Sequence, residues 1–181
     1  MNRVFITIIC IAAAGGLGYA AFSERWLENK TPSLPVAFSL LSSKRCVVES
    51  TTTTCESKSN GELMTELAMD HKEDASRAFV TAGQATLGLS LLSALMLLLC
   101  AWRLVVKKRT SGPNGPQHLA LIALMLTLIA ATVFVKTKPG GPTGVGAGPG
   151  FYVFAVACVL GIFAAQLASK LIRPIDPDPS L

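Results

Sequence analysis

Cys46 and Cys55 lie in a polar stretch with eight residues between them, whereas Cys10, Cys100 and Cys158 lie in apolar runs. In an oxidising compartment the first pair can join as a disulfide, which in the chain-entropy picture stabilises by about 2.5–3 kcal/mol. Two free thiols are the alternative. Residues that could do other chemistry are dispersed. His71 and His118 fall in separate connections, and no spacing of Cys or His matches a tetrahedral metal site. Glu62, Glu66, Asp70, Glu73 and Asp74 form an acidic run that reads as a solvated helix face. Gly144, Gly146 and Gly148 mimic part of a phosphate-binding loop, but no strand precedes them and no nucleotide fold surrounds them. We expect no catalytic residue, no metal, no cofactor and no small-molecule substrate.

The elements that must position the cysteines are set by four stretches without Asp, Glu, Lys, Arg or His: 4–22, 78–102, 119–135 and 150–169. A bilayer core of about 30 Å needs roughly 17–25 helical residues, so all four are long enough to cross. The rest divides into a long loop 23–77, a short loop 103–118, a loop 136–149 and a tail 170–181. Hydrophobic residues make up 51% of the 181, and the mean hydropathy is +0.51. The net charge of +5 sits mainly beside the spans and is not interleaved with aromatic residues, so nucleic acid is not an expected partner. Arg103, Lys107, Lys108, Arg109, Lys170 and Arg173 mark the loop 103–118 and the tail as cytoplasmic, with Lys136 and Lys138 opposing that orientation. The long loop, with seven basic and nine acidic residues, then faces outward. The first span follows Arg3 and carries Gly18 and Ala20 near its end, as a secretory signal does, but its length favours a retained helix.

Within the long loop, six of the eight residues between the cysteines are β-branched, which predicts a hairpin. The short apolar run 35–41 is expected to pair with it. Ser59 and Glu62 fit a capping box ahead of Leu63, Met64, Leu67 and Ala68, in a helix expected to run directly into the second span. Asn29-Lys30-Thr31 is a candidate glycosylation sequon. Cys100, beside Trp102 and Arg103, reads as a core filler or as a candidate palmitoylation site. The loop 136–149 is rich in Gly and Pro and is expected to be an irregular, mobile connector.

Small residues recur at four-residue spacing in every span, most fully as Ala157, Gly161, Ala165 and Ser169. Such faces let helix backbones approach, either within the bundle or against a partner. Gln84 and Gln166 are the most polar groups in the spans, each expected to bond a neighbouring helix or to lie near an interface.

The order of features resembles the superfamily of claudins, peripheral myelin proteins and TARPs: a span, an outer loop with Trp26 and then Cys46 and Cys55, Arg77 just before the second span, a basic inner loop, and two further spans. The segment Ala75-Ser76-Arg77-Ala78-Phe79 carries the likeness locally. Claudins have Gly-Leu-Trp ahead of the first loop cysteine where this chain has Leu41-Ser42-Ser43. The resemblance implies an all-α membrane fold: a four-transmembrane-helix bundle with a small extracellular β-structure between helices 1 and 2, pinned by Cys46–Cys55. It also implies that Trp26 and Arg77 brace this lid. The function expected is non-enzymatic contact with other integral membrane proteins or like chains among membrane lipids. The alternative is an accessory subunit of a larger channel or transporter. The expected location is the plasma membrane, with both termini cytoplasmic.

Overall fold

The computed structural model describes residues 3–29, 35–49, 52–69, 76–106, 115–139 and 144–171. Four long helices form the body: α1 (Arg3–Ala21), α3 (Arg77–Val106), α4 (Pro116–Lys136) and α5 (Pro149–Leu171). All four are long and apolar enough to cross a membrane. At a rise of 1.5 Å per residue they measure roughly 28–45 Å. α1 packs against α3 and α5, and α4 packs against the same two, so the helices form a ring in chain order. Pro116 opens α4 at a position where a missing N–H costs no hydrogen bond, and the Thr137 N–H closes it on the Val133 carbonyl at 2.9 Å.

Inside the ring small side chains pack among buried Ile6, Leu17, Leu97 and Leu124, while the outside carries mostly large ones. Ala13, Ala14 and Ala20 of α1 are buried, while Val4, Phe5, Ile8 and Tyr19 are exposed. A Cβ added at Gly16 would lie 2.9 Å from the Cβ of Ala157, so α1 and α5 are in backbone-level contact. Between α3 and α4, the hydroxyls of Ser93 and Thr127 meet at 3.1 Å, and Thr127 also donates to the Ala123 carbonyl at 2.7 Å. The four long helices thus carry apolar side chains on both their inward and their outward faces.

One end of the ring is closed by a five-stranded sheet in the order β4-β3-β2-β1-β5. Its strands are β1 (Leu27–Glu28), β2 (Val36–Phe38), β3 (Ser42–Glu49), β4 (Thr52–Ser59) and β5 (Gly146–Ala147), and every pairing is antiparallel. The expected hairpin is present as β3 and β4, and the run 35–41 supplies β2. The loop 136–149 departs from expectation: it contributes β5, which pairs with β1 and completes the sheet.

The short helix α2 (Asn60–Met69) starts from the expected capping box. Glu62 accepts from the Ser59 N–H and hydroxyl, both at 2.9 Å, and the Glu62 N–H donates to the Ser59 hydroxyl at 3.2 Å. These bonds hold the Glu62 carboxyl below the usual carboxylate range, so their contribution is present at neutral pH and fades as the pH falls through that lowered value. α2 does not continue into α3. Gly61 and Thr81 line one groove, whereas on a single helix they would stand about 30 Å apart. α2 therefore packs beside the start of α3, and the intervening 70–75 lie outside the described residues.

The carbonyl of Leu40 rests on α3 at Gly83, where any Cβ would fall inside its van der Waals shell. Gly83→Val is expected to lower stability by about 1–3 kcal/mol, measured by thermal unfolding in mild detergent. Gly88→Ala, at a helical position with open space around it, should change the melting temperature little.

Candidate functional site

The candidate site is the sheet and its attachment to the bundle. In β3 the Cys46 N–H donates to the Pro35 carbonyl at 3.0 Å, so it points toward β2. Cys46 and Cys55 are thus opposite each other as a non-hydrogen-bonded pair, the closer kind in an antiparallel ladder, with Cα atoms 4.1 Å apart. Their sulfurs are joined, which settles the choice left open between a disulfide and free thiols. Arg45, Val47, Thr54, Cys55 and Glu56 line a shallow depression of about 460 Å³ on this hairpin. Residues 53–57 of β4 are all exposed, so both faces of that strand look outward. β4 is also an outer strand of the sheet.

Trp26 attaches the sheet to the bundle. It is fully buried, and its indole N–H donates to the carbonyl of Ala20 at the end of α1. Its ring lies 4.9 Å from Phe154 and meets Phe134 edge-on at 6.1 Å. Phe134 stacks on Phe79 at 4.5 Å, and Phe79 meets Phe38 of β2 at 5.8 Å. These rings tie β2 and the start of β1 to α3, α4 and α5. Asn60 adds a polar clasp: its side-chain N–H groups donate to the Ser39 and Leu40 carbonyls, both at 3.2 Å, fixing the β2–β3 turn to α2. Lys58 forms ion pairs with Glu66 at 2.8 Å and Glu56 at 3.2 Å; its hydrogen bonds to both carboxylates raise its pKa above the ordinary lysine value.

The other sequence candidates lie apart from this joint. Arg77 opens α3 with an exposed side chain on the groove beside α2. Among the described residues its guanidinium has no hydrogen-bond or ion-pair partner; the contacts that join sheet and bundle are those of Trp26, Phe38, Phe79 and Asn60. Ala157, Gly161 and Ala165 are buried inside the ring, with Gly161 close to Leu97 and Leu124. The Ser169 hydroxyl donates to the Gln166 carbonyl at 2.7 Å. In this fold those three residues face other helices of the same chain. Cys100 is likewise fully buried, with its thiol unpaired by any disulfide. Asn29 follows β1 with its N–H on the Val36 carbonyl at 2.8 Å, while Lys30 and Thr31 of the sequon lie outside the described residues. Gln84 and Gln166 are both exposed on outward faces. Phe38, Phe79, Phe134 and Phe154 were missed as joint residues. The available signal was an aromatic residue near one end of each of three spans.

Removing the disulfide by Cys46→Ser with Cys55→Ser is expected to cost about 2.5 kcal/mol and to open the β3–β4 hairpin to protease while the helices stay intact. Trp26→Ala should cost more, about 3–5 kcal/mol, because it empties the joint itself. Melting curves and limited proteolysis of the purified variants test this ranking.

No protein-family model and no curated protein matches this chain.

Proposed function

We propose that this chain is a claudin-like four-span membrane protein without enzymatic activity, whose disulfide-pinned lid makes protein–protein contacts in adhesion, at a junction or in lateral assembly. One observation carries the reading: a sheet with an exposed outer hairpin is fastened by buried aromatic rings to four helices that are apolar inside and out. Large apolar side chains cover the outward faces of all four helices, far more than water tolerates on a monomer. Tyr19 and Tyr152 are exposed at the sheet end and Trp102 toward the other end, where bilayer interfaces favour such rings. Arg3, Arg103 and Lys170 mark the end opposite the sheet. That end faces the cytoplasm on this reading, and the sheet lies on the oxidising side, in keeping with its disulfide. The plasma membrane is the host membrane we propose.

The alternative, an accessory subunit of a larger channel or transporter, has its own support in Gln84. This amide is exposed seven residues into α3, about 10 Å along the helix, where lipid offers it no partner. A neighbouring protein's helix would.

Photo-crosslinkers placed at Thr54 on the lid and at Gln84 on α3 separate the two. With purified chain in two differently labelled vesicle populations, the lid reading expects vesicle clustering and Thr54 crosslinks between like chains. In native membranes the accessory reading expects Gln84 to capture a different membrane protein in constant ratio. Isolated chains in both assays would remove both readings.

A further inference from the structure

The groove between α2 and the start of α3 has a volume of about 430 Å³, within the range of small-ligand sites. Its walls are one face of each helix: Gly61, Met64, Thr65 and Ala68 from α2, and Arg77, Val80 and Thr81 from α3. Met64, Ala68 and Val80 make it apolar. The two threonine hydroxyls are already donating along their own helices, Thr65 to the Gly61 carbonyl at 3.0 Å and Thr81 to the Arg77 carbonyl at 3.2 Å. Arg77 is then the lining group with hydrogen-bond donors to offer.

Neither acidic residue of α2 forms an ion pair with it. Glu62 is held by the Ser59 N–H and hydroxyl, and Glu66 by the Lys58 ammonium. Asp70, Glu73 and Asp74 of the sequence lie outside the described residues. Arg77 therefore presents a cation, free of any partner among the described residues, at the mouth of an apolar groove. Its depth matters too. Arg77 is the first residue of a helix long enough to span a bilayer, Val80 and Thr81 are about one turn further along it, and α2 flanks all three. Met69, at the end of α2, is a further apolar side chain left 73% exposed. A groove that is basic at its rim, apolar along its floor and placed at headgroup height complements one kind of molecule.

The geometry points to an acidic phospholipid of the outer leaflet, bound with its phosphate on Arg77 and the upper part of one acyl chain along Met64, Ala68 and Val80. This inference rests on the bilayer reading above. An Arg–phosphate contact is bidentate and charge-assisted, and a net-negative headgroup adds no cation of its own to oppose it. A zwitterionic headgroup does.

The test uses the full chain purified in mild detergent and titrated with dioleoylphosphatidylglycerol, dioleoylphosphatidylcholine or inorganic phosphate, with bound lipid counted by native mass spectrometry. The expected result is one tightly held phosphatidylglycerol, with affinity reduced roughly tenfold or more by Arg77→Gln and partly kept by Arg77→Lys. Val80→Trp, which fills the groove without touching the charge, should also lose the lipid. Phosphatidylcholine should bind more weakly and inorganic phosphate should not compete. An intact Cys46–Cys55 disulfide and a monodisperse profile establish that each variant is folded; should Arg77→Gln fail this control, Val80→Trp and Arg77→Lys carry the test. Equal binding by a folded Arg77→Gln variant and the wild type, or displacement of the lipid by phosphate alone, overturns the site. Alkaline extraction of native membranes tells the two failures apart. Release of the chain into the supernatant sinks the bilayer reading, whereas retention with lipid binding indifferent to residue 77 sinks only the groove.

Discussion

Trp26 is completely buried, yet each of its polar groups is bonded. Its backbone N–H donates to the Phe38 carbonyl at 2.8 Å, its carbonyl accepts from the Gly148 N–H at 2.8 Å, and its indole N–H reaches the Ala20 carbonyl. A sheet that closes the end of an apolar bundle must bring polar backbone into contact with a greasy surface, and an unpaired group there costs about 1–3 kcal/mol. This residue meets the requirement in three directions at once. It ties into β2 on one side, into the chain after β5 on the other and into α1 below, while its ring supplies the apolar plug.

The close approaches around it follow from the same requirement. Gly148 lies over the carbonyl of Arg25, and Gly150 lies against Ser23, so that a methyl group at either position would collide with the segment leading into β1. The glycines of the third connection thus serve contact as well as turning. Gly83 plays the corresponding part on α3, admitting the Leu40 carbonyl. The sheet sits down on the helices because three glycines and one tryptophan sit where their backbones converge.

This division explains what was legible in the sequence. The four helices follow from length and the absence of charge, the β3–β4 hairpin from its β-branched run, and the start of α2 from a three-residue Ser-to-Glu spacing; each is a local signal. β1 and β5, at two residues apiece, have no local pattern; β1 pairs with the nearby β2, and β5 forms because β1 is brought alongside it from more than a hundred residues away. The reversal between α2 and α3 was missed for a related reason. Apolar residues at helical spacing on both sides fit one long helix as well as two packed ones, and only the packing of Met64 and Ala68 opposite Val80 decides. Small-residue stripes announced close packing but not the neighbour. The structure gives Gly16 to Ala157, and Gly161 to Leu97 and Leu124.

The placement of small residues bears on where a partner would be met. In lipid there is no hydrophobic drive to bring helices together, so association depends on close contact and on polar bonds. This chain uses its main small faces internally and turns Leu, Ile, Val and Phe outward, which suits contact with acyl chains better than tight lateral docking. Gln84, with exposed Gly88 one turn further along, is the local exception. The lid is different in kind. On the water side of the bilayer reading, burial of Val47 against a partner would gain from the hydrophobic effect, and Arg45 and Glu56 beside it can select by charge. A hairpin already held in shape by a covalent bond gives up little entropy when it binds. On the function proposed above, the balance of these terms favours recognition by the sheet, with the helix faces left mainly to lipid.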